Sequence, residues 1–433
     1  MRLSGRRRTG SASLLSIAQG MGDVVDIANP AAARRESTRN ATAERSRAAA
    51  SPDSVVLAPL AAISADRWRA LADRAVEPNG YYLPEWALAV DATARSRTNV
   101  SALGAWSDAT AEPGAARMIG LMPAISLWRA TKIPLPALAS ADPYGTLCTP
   151  LLDREMPDQA AGRLMSQARE AGAHALILRD VALDGAVMKA FTRVLERRGM
   201  RLRLLQSHAR ACLDARRDAD ELLREALGAK KLKELRRQRH RLAEHGEVGF
   251  EVARTPAEVA RALEIFLTLE ASGWKAKRGT ALTQDDGDAS FIRRAALGLA
   301  EHGECEIATL RTGATPVAAA IVVRHQDRAF YFKLGVDERF AKFSPGVQLT
   351  LDVTRHLCVD PAIAVVDSMA APDHPMIDPI WRGRLAIGDV LIPLGRYDPM
   401  VALIHAAMRL RQLIREPARR AIHFIRRLKE KRT

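Results

Sequence analysis

The segment from Cys305 to Leu394 constrains the fold most. Three β-rich runs, "CEIATLR", "PVAAAIVVRH" and "RAFYFKLGV", are separated only by "TGAT" and "HQDR". Linkers this short predict hairpins, and hence an antiparallel meander. A helix-patterned stretch, "SPGVQLTLDVTRHLC", then precedes the strand run "AIAVVDSM", a short helix around "MIDPIWRG" and the strand run "LAIGDVLIPL". Upstream, "EVGFEVAR" reads as a strand and "TPAEVARALEIFLTLEASG" as a helix. In that helix Thr255 is the N-cap, Pro256 the first residue and Glu258 the partner in a capping box. With a further helix near 288–302, the order is β-α-α-β-β-β-α-β-α-β: a meander followed by a strand–helix–strand crossover, which predicts a mixed α/β (α+β) sheet flanked by helices.

At 433 residues the chain is longer than one ordinary domain. The spacing of apolar runs predicts a first mixed α/β module over 55–210. It starts with the strand "VVLAPLAAI" and a helix bearing Trp68, Leu71, Ala72 and Ala75 on one face. The strands "VSALGAW", "RMIGLMPAISLW" and "HALILRDV", a helix near 154–171, the helix "AVMKAFTRVLERRG" and the strand "RLRLLQSHAR" complete it. A second module covers 211–395 and opens with a basic helix over about 216–245. Residues 1–54 lack apolar periodicity and predict a disordered basic tail. Residues 396–433 predict a basic amphipathic helix with Met400, Leu403, Ile404, Ala407, Leu410 and Ile414 on one stripe.

The formal charge of +15 is unevenly spread: residues 1–55 carry +4, residues 230–241 +6 and residues 396–433 +8, so the remainder is slightly acidic. That argues against a nucleic-acid-binding core, while leaving the basic segments able to touch RNA or an anionic lipid surface. Cys148, Cys212, Cys305 and Cys358 show neither metal-ligand spacing nor a disulfide framework, so no metal site is expected and a reducing cytoplasm is. No run of about 18 apolar residues predicts a membrane span.

Four segments, "KKLKELRRQRHRLAEHG", "FLTLEASGWKAKRGTAL", "YFKLGVDERFAKFSPGVQL" and "VVDSMAAPDHPMIDPIWRGRLAIGDV", resemble in this order the CelD/BcsL group of GNAT-type acetyltransferases. That group is distantly similar to the FemAB-type aminoacyl transferases, which carry two GNAT modules in tandem. The resemblance covers residues 55–395, by motif in the second half and by architecture in the first. It implies tandem GNAT-like modules, acetyl-CoA as donor, an amine or hydroxyl acceptor, and a setting in exopolysaccharide or cellulose-related metabolism. The FemAB likeness leaves open an aminoacyl transferase using charged tRNA. A degenerate fold would leave a non-enzymatic scaffold of a polysaccharide-synthesis complex.

Candidate site residues follow from chemistry and from this resemblance. A helix N-terminus leaves backbone N–H groups unpaired and favours negative charge. "FSPGVQL" starts such a helix, with Ser344, Pro345, Gly346 and Val347 as the expected cradle for the donor's pyrophosphate. The alternative is an ordinary Ser344 N-cap with Pro345 at N1. The segment departs from the family's Q/R-x-x-G-x-G/A loop, having one glycine and a proline. Acyl transfer also needs a proton acceptor and a site for the acceptor substrate. Glu270 is a catalytic candidate, with Trp274 and Lys275 in the same loop as substrate-binding candidates. Lys333, in an aromatic strand, and Asp337, just past it, could orient a substrate. Asp367 and Ser368 end a strand, where α/β sheets border their ligand crevices. With His374 and Trp381 they form a second cluster, in which Asp367 and His374 are catalytic candidates and Ser368 and Trp381 bind substrate. On the basic helix Lys230, Lys233, Arg237 and Arg241 fall at near-helical spacing. They read as a solvated face or a phosphate contact. The C-terminal helix docks on the body or lies on an anionic membrane surface, which would place the enzyme peripherally at the inner face of the membrane.

Overall fold

The computed structural model describes residues 57–108, 116–272 and 281–430, with side chains as far as Ile414. Residues 55–433 form one compact unit. The expected tail over 1–54 and the candidates Trp274 and Lys275 lie outside the described residues. The first half runs α1 (Ala65–Ala72), α2 (Pro84–Thr93), β1 (Ser101–Trp106), β2 (Met118–Ser126), α3 (Leu127–Thr131), β3 (Ala137–Ser140), β4 (Leu151–Leu152), α4 (Pro157–Glu170), β5 (Ala175–Ala182), α5 (Ala186–Arg197) and β6 (Arg203–Asp214). The second runs α6 (Ala219–Ala243), β7 (Val248–Ala253), α7 (Pro256–Ser272), α8 (Asp286–Glu301), β8 (Cys305–Thr312), β9 (Thr315–His325), β10 (Arg328–Val336), α9 (Pro345–Cys358), β11 (Val365–Asp367), β12 (Gly383–Pro393) and α10 (Pro399–Glu430).

The meander forms as expected. β8, β9 and β10 pair antiparallel, and α9 crosses over to β11, which pairs parallel with β10. The first half repeats the plan: β1, β2 and β3 pair antiparallel, and α4 crosses to β5, parallel to β3. The fold is therefore a tandem GNAT-like α/β arrangement, but the two halves do not keep separate sheets. The order is β1-β2-β3-β5-β12-β6-β11-β10-β9-β8-β7, with β4 paired to β2. Each half places its last strand beside the other half's crossover strand. β12 pairs with β5, β6 with β11, and β6 with β12 along a ladder from Gly383↔Cys212 to Leu391↔Arg203. Residues 210 and 211 lie inside β6, so parting the halves would mean breaking this ladder.

Side-chain packing also fuses the halves. Trp86 of α2 stacks edge-on against Phe291 of α8 at 5.1 Å and Phe332 of β10 at 4.9 Å, and Tyr81 meets Phe330 at 5.5 Å. Gly298 lets α8 come this close, since a Cβ there would meet Glu85 Cβ at 3.0 Å. The capping box forms: Glu258 accepts from the Thr255 amide at 3.1 Å, and the Glu258 amide donates to Thr255 Oγ1 at 3.4 Å.

Four local expectations are corrected. The strand expected at 55–63 is, in its described part, a 3-10 turn over Leu60–Ala62, with a single bridge from Pro59 to Ser101, because Pro59 cannot donate to a ladder. The basic helix breaks at Gly228, whose φ of 70° and ψ of 163° are open to glycine and costly for other residues. The helix expected around "MIDPIWRG" is a run of turns, and the strand before it shrinks to Val365–Asp367. Prolines at 375 and 379 disfavour a regular helix there. In α10 the buried positions are Val401, Ile404 and Met408, whereas Leu403, Leu410, Leu413 and Ile414 are exposed.

Candidate active site

The parallel pair β10–β11 is only three residues long, Arg328↔Val365 to Phe330↔Asp367. β11 then stops, while β10 continues from Tyr331 to Val336. Beyond Phe330 no strand among the described residues pairs with the β11-side edge of β10. The strands part into a wedge holding a cavity of about 610 Å³. Its walls are β10 from Tyr331 to Leu334 with Val336, the start of α9 from Ser344 to Val347, and the turns Ser368–Ala370 and His374–Ile377.

At the α9 end, Ser344 has left-handed backbone (φ 53°) and its side chain makes no capping hydrogen bond. The ordinary Ser N-cap is therefore not what this structure shows. The first turn holds no acidic residue, and Pro345 at N1 removes one amide that would otherwise be orphaned. A positive helix end, uncapped by its own residue, opens into the cavity. Gly346 lines the cavity as part of this helix start and also serves packing. A Cβ there would meet Leu334 Cδ2 at 3.0 Å and Val336 Cγ1 at 3.1 Å, so glycine lets α9 press against β10.

On β10 the register against β9 shifts between Tyr331 and Lys333, a bulge that places Phe332 out of step. Phe332 packs on Trp86, while Lys333 lines the cavity. Lys333 Nζ donates to Glu270 Oε1 at 3.0 Å, and Glu270 Oε2 accepts from the Leu282 amide at 3.0 Å. Glu270 is only 2% exposed, so it is a buried, paired carboxylate and not a solvated one. Close packing behind it is set by Gly335, where a Cβ would meet the Glu270 amide nitrogen at 3.0 Å. The first half contributes Tyr144, whose ring lies 5.7 Å from Lys333 Nζ and whose hydroxyl donates to Asp288 at 2.7 Å. Burial, then that bond, push the Tyr144 hydroxyl above its ordinary range.

The second cluster divides. Ser368 lines the cavity, buried, with Oγ accepting from the Ala370 amide at 3.3 Å. His374 lines it too. Its Nδ1 accepts from the amides of Met376 and Ile377, both at 3.3 Å, which places the ring proton on Nε2. Asp367 is 1% exposed and turns away from the cavity, toward the Met369 amide at 2.8 Å and Arg210 at 3.4 Å. Trp381 fills the core beneath α9, donating to Thr354 Oγ1 at 2.9 Å and stacking on Tyr331. Asp337 caps the turn after β10, binds Arg339 at 2.7 Å and lines a separate hollow with Thr268 and Ser272. The cavity thus gathers Ser344–Val347, Lys333, Ser368 and His374, with Glu270 behind Lys333, and leaves Asp337, Asp367 and Trp381 outside.

Sequence reasoning missed Tyr144 and Arg210. Arg210, buried on β6, bonds the Thr146 carbonyl at 2.7 Å and Asp367, and so joins the exchanged strand to the wall of the cavity. The only available signal was a charge inside the strand run "RLRLLQSHARACL", which does not reveal its partner.

Residues 229–374 match the family model of an acetyltransferase (GNAT) domain, a span that runs from the basic helix through the whole β10–α9–β11 wedge to His374. Over that third of the chain the sequence is thus similar to a GNAT-type acyltransferase domain. Among solved structures it is similar to FemX, at 13% identity over 79% of this chain and 98% of that one, with a TM-score of 0.52. It is also similar to a tandem GNAT protein from the clavulanic acid biosynthesis pathway (13% identity, 79% and 99% covered, TM-score 0.36). The L-PGS structure from Bacillus licheniformis is a further match (11%, 67% and 86%, 0.41). No curated protein matches the chain.

Proposed function

We propose that the chain moves an acyl group, acetyl foremost, from a CoA thioester to an amine or hydroxyl acceptor, with the donor held in the β10–β11 wedge. The observation that carries this reading is the uncapped, acid-free start of α9 opening into a cavity of about 610 Å³ where two parallel strands part. Such a helix end suits a pyrophosphate, and the unpaired edge of β10 suits the donor's amide-bearing arm. In the transfer the acceptor's nitrogen or oxygen bonds to the thioester carbon as the carbon–sulfur bond breaks. The acceptor gives up a proton and the sulfur leaves as the CoA thiol. We assign proton uptake to Glu270, oriented by Lys333 and the Leu282 amide, and stabilisation of the carbonyl oxygen to the Nε2 donor of His374. Asp367 acts through Arg210 and the wall of the cavity as a positioning residue. The resemblance to the CelD/BcsL group supports an acceptor from exopolysaccharide or cellulose metabolism.

A second reading, an aminoacyl donor carried on tRNA, is favoured by one observation. Lys230, Lys233, Arg237 and Arg241 are all exposed and, among the described residues, none is in an ion pair. Calorimetry separates the two. Acetyl-CoA is expected to bind the wild type and to bind Ser344→Asp at least tenfold more weakly, because the added carboxylate occupies the helix end on a left-handed backbone that Asp tolerates. No binding of acetyl-CoA, together with steeply salt-dependent binding of aminoacyl-tRNA, would replace the first reading by the second.

A further inference from the structure

α10 carries two faces. Val401, Ile404 and Met408 are buried against Leu205, Leu391 and the strands beside them, which fixes how the helix docks on the body. Leu403, Leu410, Leu413 and Ile414 are 51–66% exposed. At 3.6 residues per turn, Leu403, Leu410 and Ile414 fall within about 40° of one another, with Leu413 beside them, roughly 140° round from the docked face. The sequence keeps this spacing at Ala421, Phe424, Ile425 and Leu428, interleaved with Arg415, Arg419, Arg420, Arg426, Arg427 and Lys429. Residues 396–433 have a net charge of +8. Four aligned, exposed large apolar residues are unusual on a face that stays in water. An apolar stripe bordered by cations, on a helix that is 32 residues long, is the pattern of a helix lying in an interface. No helix among the described residues is long and apolar enough to cross a membrane.

We propose that this free face of α10 lies in the plane of an anionic lipid surface and seats the protein there, a property independent of which donor the wedge binds. The apolar stripe would enter the headgroup boundary while the flanking arginines meet lipid phosphates. The docked face holds the rest of the chain at a fixed orientation to that surface.

The test uses the full-length chain and vesicles of phosphatidylcholine alone or with about 30% phosphatidylglycerol, an anionic lipid. Co-sedimentation with the anionic vesicles is expected, and it should weaken in about 0.5 M salt, where exposed charges are screened. The triple variant Leu410→Glu, Leu413→Glu, Ile414→Glu is expected to bind at least tenfold more weakly. Its melting temperature and acetyl-CoA titration should match the wild type, so loss of lipid binding and loss of donor binding stay distinguishable. The proposal is overturned if the wild type ignores anionic vesicles, or if the triple variant binds them equally well. It is also overturned if sedimentation velocity shows a dimer that the triple variant breaks, since the face would then belong to a second copy of the chain.

Discussion

The chain contains the same wedge twice, and only one is open. In the first half β3 and β5 also pair in parallel for three residues, Ala137↔Ala175 to Ala139↔Ile177, with α4 as the crossover. There Arg179 stitches the gap, donating from its side chain to the Ser140 carbonyl at 2.7 and 3.1 Å and from its amide to Ser140 Oγ at 3.0 Å. Tyr82 and Cys148 close on the Ala141 carbonyl behind it. The charge at the helix start differs as well: α4 also lacks a side-chain cap, but its first turn carries Asp158, which pairs with Arg193 and Arg197. In the second half the corresponding turn of α9 has no acid, and Lys333 faces a cavity. A similar backbone plan thus leaves a cavity where the chain's own side chains do not bridge the gap and no acid sits in the first turn of the helix.

The comparison can be broken most severely at Glu270. Replacing it by Gln keeps the shape but removes the proton acceptor, so kcat should fall roughly 10²–10⁴-fold, the usual share of general-base catalysis. Acetyl-CoA affinity in calorimetry should stay the same. Unchanged kcat would move proton uptake elsewhere. Arg210, which ties the exchanged strand to the open wedge, comes next. Arg210→Ala strands the buried Asp367 and should cost about 3 kcal/mol in urea denaturation, and pairing Arg210→Met with Asp367→Leu should recover most of it. Ser344→Asp, already proposed, makes the open helix end resemble the closed one. Its converse, Asp158→Ala, should cost only about 0.5 kcal/mol of stability, because the site is at the surface, and should leave acetyl-CoA binding unchanged.

A separate effect is one of pH. Burial, then Asp389, raise the Asp180 carboxyl to about 6. An acid whose folded-state value lies above its unfolded value holds its proton more tightly when folded. Stability therefore declines as pH rises from about 4 to about 6. Asp180→Asn, which suits the left-handed backbone there (φ 47°), should lessen that decline in melting curves taken across this window, leaving the share of Asp389, whose carboxyl burial also raises.

The meander, the crossover and the start of α9 were legible because each rests on local chemistry: short polar turns, period-two runs, and a proline–glycine pair at a helix start. Glu270, Ser368 and His374 were legible as candidates because they lie at or near ends of predicted elements, where clefts form, and Lys333 because it is a charge inside an aromatic strand. Asp337, Asp367 and Trp381 met the same criterion yet face other partners, because the side of a strand end a residue faces depends on packing. Tyr144 and Arg210 lie far along the chain from the residues they serve, so no local pattern marks them.

By itself the sequence determined the order of elements in the second half and the location of the helix end, since these follow from periodicity, capping and turn residues within a few positions; the repetition of the plan came only from the family resemblance. The tertiary structure decided that the last strands trade places and that Arg179 bridges the first wedge. It also decided that Gly346 serves packing against Leu334 and Val336 and that the free face of α10 is not the docked one. Those outcomes depend on contacts between residues tens to hundreds of positions apart, where shape and pairing across the sheet, and not local preference, set the energy.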